Sequence, residues 1–290
     1  MATPSAAAAP TARSILITGC SSGIGHACAH GLAARGWKVI ASARQAEDVA
    51  GLQREGLTAV QLDLRDPASI QAGLEAALAH TGGRLDALFN NGAYGQPGAV
   101  EDLSRAVLQA QFETNLFGWH DLTRRVIPLM RAQGHGRIVQ NSSVLGLVAL
   151  PYRGAYVASK FALEGLTDTL RLELAGSGIH VSLIEPGPIL SRFRENGYAV
   201  YLRTIDATAS VHQATYRRME ARLKTAGPAQ PFTLPPEAVL KKLVHALESP
   251  RPRARYYVTV PTHLMGSLKR LLGTRALDWA LKRISRGGRG

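Results

Sequence analysis

Short apolar runs alternate with longer, partly amphipathic stretches along most of the chain. Seven runs rich in Val, Ile and Leu predict strands over Ser14–Thr18, Lys38–Ser42, Thr58–Leu62, Ala87–Asn90, Arg137–Asn141, His180–Ile184 and Tyr256–Val260. Between them, helices are expected over Ile24–Arg35, Pro67–His80, Arg105–Arg131 and Tyr152–Ala175. Strands that are apolar throughout are buried on both faces, and helical crossovers make their neighbours parallel. The expected fold is therefore α/β, a doubly wound parallel sheet of the Rossmann type, in one catalytic domain over residues 13–260. Ligands of such sheets sit beyond the carboxyl ends of the strands. From Leu190 to about Pro236 no strand pattern appears, and a stretch of that length is expected to act as a lid.

Composition narrows the class. The chain has 290 residues, 46% of them hydrophobic, which is enough for a sizeable core and excludes wholesale disorder. Residues 1–12 are rich in Ala, Pro, Thr and Ser and are expected to form a disordered tail without the features of a signal peptide. The only cysteines, Cys20 and Cys28, exclude a disulfide scaffold and favour a reducing, cytoplasmic setting. No apolar run approaches the ~18 residues of a spanning helix.

The net charge of +13 is uneven: residues 251–290 hold ten Lys or Arg and one acid, Asp278, and so contribute +9. Leu264, Leu268 and Leu271 recur at helical spacing there, as do Leu277, Leu281 and Ile284 after Gly273. Residues 261–290 thus read as a basic amphipathic extension. It suits an anionic membrane surface, and equally suits packing on the protein body or on a partner subunit. No helix-turn-helix, zinc or base-stacking motif accompanies the charge, so no nucleic-acid partner is expected.

Candidate chemistry follows the first strand. Thr18-Gly19-Cys20-Ser21-Ser22-Gly23-Ile24-Gly25 runs straight into a helix. Glycines let the backbone approach a pyrophosphate, and a helix start offers free N–H groups and a positive dipole end. The second strand ends in Ala43-Arg44, without the acid that would accept a bond from a ribose 2′-hydroxyl. Arg44 instead offers a planar cation suited to a 2′-phosphate, which favours NADP(H). Further on, Tyr156 and Lys160 are i and i+4 on one helical face, and Ser143 stands thirteen residues before Tyr156. A nearby ammonium would lower the phenol's pKa toward useful values, and the Ser143 hydroxyl could donate to a carbonyl oxygen.

Together these features resemble the short-chain dehydrogenase/reductase family, from about Ser14 to Pro188 and more loosely beyond. The resemblance implies cofactor contacts from Gly19, Ser21, Ser22, Gly23, Ile24 and Gly25, from Arg44, and from Asp63 and Leu64 at the adenine. The family's N-N-A-G segment appears as Asn90-Asn91-Gly92-Ala93, with the last two residues exchanged, and Asn91, Gly92 and Ala93 are taken as cofactor contacts. The Pro-Gly after the sixth strand matches Pro186-Gly187, Ile189 stands where a backbone group meets the nicotinamide amide, and Ser191 replaces the frequent Thr. The implied catalytic set is Asn115, Ser143, Tyr156 and Lys160, with Tyr156 and Lys160 also contacting the cofactor. Within the family the motifs look most like the branch of retinol and 17-beta-hydroxysteroid dehydrogenases and bacterial NADP-dependent aldehyde reductases.

The expected activity is hydride transfer between NADP(H) and an aldehyde, ketone or alcohol. Rival readings are a membrane-docked steroid- or retinoid-type dehydrogenase and a non-catalytic NADP(H) sensor. Tyr94, Leu145, Val148, Tyr152, Phe193, Tyr198 and Phe232 lie near the expected pocket and as a group suggest a hydrophobic substrate, although each also reads as ordinary core. His26 and His30 have the spacing of metal ligands, but no third ligand accompanies them and the family needs no metal, so none is expected. Cys20 reads as a packing residue. The family's habit of pairing through its long helices implies a homo-oligomer.

Overall fold

The computed structural model describes residues 12–224, 227 and 231–287; the expected tail over 1–12 thus lies almost wholly outside them. In chain order, β1 (Ser14–Ile17) leads to α1 (Gly23–Ala33), β2 (Lys38–Ala43), α2 (Ala46–Arg54), β3 (Thr58–Gln61), α3 (Pro67–Thr81) and β4 (Ala87–Asn90). Then come α4 (Arg105–Phe112), α5 (Gly118–Gln133), β5 (Gly136–Asn141), α6 (Gly154–Glu173) and β6 (Ile179–Glu185). The chain ends with α7 (Phe193–Thr204), α8 (Gln213–Lys224), α9 (Glu237–Glu248), β7 (Arg255–Tyr257), α10 (Val260–Leu271) and α11 (Thr274–Gly287).

The seven strands form one sheet in the order β3-β2-β1-β4-β5-β6-β7, and every pairing is parallel. The order reverses between β1 and β4, which places the ligand crevice beyond their carboxyl ends. β1 and β4 are buried at every position, as apolar runs covered on both faces must be. One face packs against α1, α2 and α9 through Ile15, Ile17, Leu32, Val239 and Leu243. The other packs against α3, α5 and α6 through Leu16, Leu74, Trp119, Leu122 and Leu163.

Local chemistry sets the helix ends. At α3, Asp66 accepts from Ala68 N, Pro67 takes the first helical position, and Gly82 closes the helix in the left-handed region. The single helix expected over Arg105–Arg131 is instead two, joined by a π turn over Glu113–Phe117. The strand expected over Tyr256–Val260 is shorter and earlier, because Val260 and Pro261 already begin α10.

The strandless segment after β6 carries α7 and α8, with a small core of Tyr201, Ile205, Tyr216, Met219 and Leu223 against Ala99. In the C-terminal extension, Leu268, Leu277 and Leu281 turn inward and pack with Met265 against Leu147 and Val148. Leu264, Leu271 and Ile284 remain exposed. The two leucine stripes are therefore divided between the body and solvent. Among the described residues, no helix is long and apolar enough to cross a membrane.

Candidate active site

The turn after β1 is shaped by contact with the loop after β4. Gly19 has φ +70°, and a Cβ there would lie 2.5 Å from Gly92 Cα. The side-chain-free residue of the exchanged Gly92-Ala93 pair thus stands where the two backbones meet. Thr18 Oγ1 accepts from Asn91 N at 2.9 Å and Gly92 N at 3.0 Å, and Asn91 Nδ2 donates back to the carbonyls of Thr18 and Gly19. Ser22, the N-cap of α1, is extended and makes no side-chain cap, so its hydroxyl does not consume the N–H groups that begin the helix. A tight, glycine-lined turn ahead of an uncapped helix start fits a dinucleotide pyrophosphate. Gly23, with φ +58°, closes against Ser191, whose Cβ would lie 2.9 Å from an added Cβ. Cys20 is fully buried, donates its N–H to Ser42 O, and has a thiol pushed up to about 12 by that burial; it is a packing residue.

At the carboxyl ends of β2 and β3, where the adenosine contacts were expected, Arg44 is exposed and its carbonyl accepts from Gln61 Nε2 at 3.0 Å. Asp63 stands nearby. Burial works against its charge, yet bonds from the Arg65 side chain and backbone, with the Arg65 and Arg44 charges, hold its carboxyl below the usual range. Arg65 is a second cation at this edge that the motif reading passed over. Leu64 is buried, and its carbonyl lies where a Cβ on Gly118 would fall.

The four expected catalytic residues converge beyond β4 and β5. Ser143 begins a short 3-10 turn, where its Oγ accepts from Leu145 N at 3.1 Å and stands beside the Tyr156 hydroxyl. Burial pushes Tyr156 up to about 12, while the Ser143 hydroxyl and the Arg153 charge pull the other way. Lys160 is fully enclosed. Its Nζ donates to Asn141 O at 2.8 Å and lies 4.2 Å from the centre of the Trp119 ring. Burial pushes it down to about 7 against the opposing charge of Glu164. Burial thus works against the charge of the very lysine expected to depress the phenol, and Arg153 adds a second cation near it.

Asn115 sits in the π turn. Its side chain clamps the backbone of Tyr94, accepting from the N–H at 3.2 Å and donating to the carbonyl at 2.9 Å. Such turns often mark functional positions, because the extra residue points a side chain off the regular spiral. Pro186 O accepts from Val144 N at 2.8 Å, tying the loop after β6 to the Ser143 turn. Gly187 is pressed on α10: a Cβ there would meet Thr259 Oγ1 at 2.1 Å. Ile189 packs on the core beside α1 and bridges to Leu234.

The apolar candidates divide. Phe193 meets the Tyr156 ring edge-on at 5.3 Å and crowds Gly95. Tyr152 and Tyr198 pack against the small core of α7 and α8, Val148 faces α10 and α11, and Phe232 is exposed. Leu145 is half-buried in the turn that Ser143 begins.

Behind Lys160 lies an ion cluster that sequence spacing did not reveal. Arg255 on β7 bonds Glu164 and Asp168 of α6 and Glu185 of β6. Burial and the Glu164 charge push Glu185 up to about 8, with Arg255 opposing. Arg255 is therefore half-buried and taken up by these three carboxylates, and does not add to the free basic charge of residues 251–290. A further correction concerns His26 and His30: Glu55 does accompany them, with Oε2 2.7 Å from both Nε2 atoms.

The chain is similar to known proteins over most of its length. The short chain dehydrogenase family model matches residues 13–199. The Escherichia coli K12 protein named uncharacterized oxidoreductase YbbO is 44% identical over 270 residues, covering 93% of this chain and 94% of that protein. Human 17-beta-hydroxysteroid dehydrogenase type 1 is 35% identical over 260 residues, covering 84% of this chain and 77% of that protein. A short chain dehydrogenase/reductase from Burkholderia phymatum, solved in complex with NAD, superposes with a TM-score of 0.75 at 28% identity, over 93% of this chain and 95% of that one. By that family match and by its identity to these relatives over most of their length, the chain belongs to the short-chain dehydrogenase family of oxidoreductases, which interconvert alcohols and carbonyl compounds with a nicotinamide dinucleotide.

Proposed function

We propose that the protein is an NADP(H)-dependent reductase of aldehydes or ketones with an apolar body. The observation that carries this reading is the placing of the Ser143 hydroxyl beside that of Tyr156, with Lys160 one turn along α6 and Asn115 bonded to the intervening Ser159. Two hydroxyls meeting there can both face one substrate oxygen. Tyr156 delivers the proton to that oxygen, and Ser143 holds it by a donated hydrogen bond. Lys160 holds the nicotinamide ribose and, when charged, favours the ionised phenol. Asn115 holds a water between Lys160 and solvent. The dinucleotide, when bound, supplies or takes up the hydride. Phe193, against the Tyr156 ring, supplies an apolar wall.

The preference for the 2′-phosphorylated dinucleotide rests on Arg44, with Arg65 nearby and no acid at Ala43. The exposed Leu108, Phe117 and Leu166 of α4, the π turn and α6 support pairing with a second copy of the chain. The test of the activity is NADPH oxidation over a panel of aldehydes, ketones, steroids and retinoids. Turnover of aliphatic or aromatic aldehydes is expected, turnover of steroids or retinoids alone would favour the rival dehydrogenase, and binding without turnover of any of them would favour a sensor.

A further inference from the structure

At the half-exposed side of α1, two of its side chains meet a third from the end of α2. His26 and His30 lie one turn apart, and both aim Nε2 at the same atom, Oε2 of Glu55, at 2.7 Å each. Glu55 follows the last turn of α2. The imidazole centroids are 4.6 Å apart, and the three candidate ligand atoms lie within 4.8 Å of one another. Among the described residues, Glu55 pairs with no Lys or Arg. The three side chains are 37%, 38% and 45% exposed, so the cluster is open to water on one side. Cys28, between the histidines in sequence, is buried in the core behind α1 and takes no part.

We propose that His26, His30 and Glu55 form a binding site for one divalent transition-metal ion of the Zn²⁺ class. Two imidazole nitrogens and one carboxylate oxygen are the donor set of zinc sites that keep a fourth position for water. With bonds of about 2.0–2.2 Å to the ion, ligand atoms around a tetrahedral centre stand about 3.3 Å apart. The present Nε2–Oε2 separations of 2.7 Å need to open only slightly, which half-exposed side chains can do. Imidazole suits Zn²⁺, Cu²⁺ and Ni²⁺, whereas Mg²⁺ and Ca²⁺ call for oxygen cages. On binding the ion each imidazole gives up its Nε2 proton, to solvent if the ring is charged or by a shift to Nδ1 if it is neutral, and turns the freed Nε2 lone pair to the metal. The carboxylate then bonds the ion in place of the two N–H groups it now accepts from. The ion would tie α1, three residues past Gly23 of the phosphate turn, to the end of α2.

The test uses the untagged full chain, freed of metal by a chelator and titrated with Zn²⁺ against a chromophoric competitor. One tight equivalent is expected, weakened at least about tenfold in both His30→Gln and Glu55→Gln, since even loss of an outer partner costs a zinc site that much. Zn²⁺ should raise the Tm of the parent and leave that of His30→Gln unmoved. Co²⁺ should give the intense visible bands of a four-coordinate ion. Unchanged dinucleotide binding reports that the variants fold, and if one does not, the other and the Co²⁺ spectrum decide. The proposal is overturned if the parent binds no tight equivalent, if both variants bind Zn²⁺ as tightly as the parent, or if Co²⁺ shows only the weak bands of the six-coordinate aqueous ion.

Discussion

Lys160 Nζ lies 4.2 Å from the centre of the Trp119 ring, and the indole Nε1 of Trp119 donates to Gly92 O at 2.8 Å. One aromatic side chain therefore joins the lysine on α6 to the loop that meets the phosphate turn. The ring face favours the ammonium, but burial outweighs it and brings Lys160 down to about 7 from 10.5. Between those values the unfolded chain holds a proton that the native chain lacks, so this residue makes stability rise with pH from about 7 upward. Lys160→Met should flatten that rise. Urea midpoints at pH 7 and 9 for the two proteins measure it, and equal slopes would show a lysine charged throughout.

Tyr156→Phe keeps the ring against Phe193 and removes only the hydroxyl beside Ser143. Dinucleotide binding should survive, and kcat should fall by ~10²–10⁴-fold, the contribution of a placed proton donor. Stopped-flow reduction compared with fluorescence titration separates the two quantities.

Arg44 stands exposed beside Asp63 and Arg65. NADPH should bind more tightly than NADH by ~1–3 kcal/mol, the range of a charge-assisted contact. Arg44→Asp should remove or reverse that difference. Calorimetry with both dinucleotides checks it, and equal affinities in the parent protein would count against the assignment.

Arg255→Leu leaves Glu185 and Glu164 buried without their guanidinium. Breaking such a cluster by removing one partner costs ~3–5 kcal/mol. The carboxyls would respond by keeping their protons, so the loss should be larger at pH 8 than at pH 5. Paired melts at those two values give the result.

Deleting residues 262–290 removes Met265 and Leu281 and bares Leu147 and Val148, which are 8% and 3% exposed in the full chain. Each large apolar side chain returned to water costs ~1.5–3 kcal/mol, so a clear drop in Tm or aggregation is expected. An unchanged Tm, with salt-sensitive binding to anionic vesicles lost on deletion, would instead favour a membrane role for the extension.

Much of this molecule is legible from local pattern. Each of the seven apolar runs is a strand, because strands buried on both faces, such as β1 and β4, carry no competing signal. Gly19, Ser143, Tyr156 and Lys160 could be found because their chemistry needs fixed residue types at fixed spacing. What escaped depends on contacts between distant segments. Arg255 reads as surface charge until β7 sets it beside Glu185, 70 residues earlier. Glu55 has no sequence relation to His26 and His30, and only the approach of α2 to α1 joins them. The leucines of the extension show helical spacing but not which side faces inward, and the structure divides them. Helices α7, α8 and α9 have little apolar rhythm to separate them from loop, except α9, whose buried Val239, Leu243 and Leu247 are four residues apart.

The π turn at Glu113–Phe117 means that α4 and α5 are two spirals out of phase, offset by a single surplus residue. One residue of an α-helix is a rotation of about 100°. Removing any one amino acid between Phe112 and Gly118 would therefore restore an unbroken helix only by swinging the inward side of α5, with Trp119, Leu122 and Val126, off the sheet. The chain cannot relax this defect without dismantling the face that supports Lys160. The surplus residue thus works as a phase setter: it fixes at once which side of α5 meets the sheet and where Asn115 points, so neither can be changed alone.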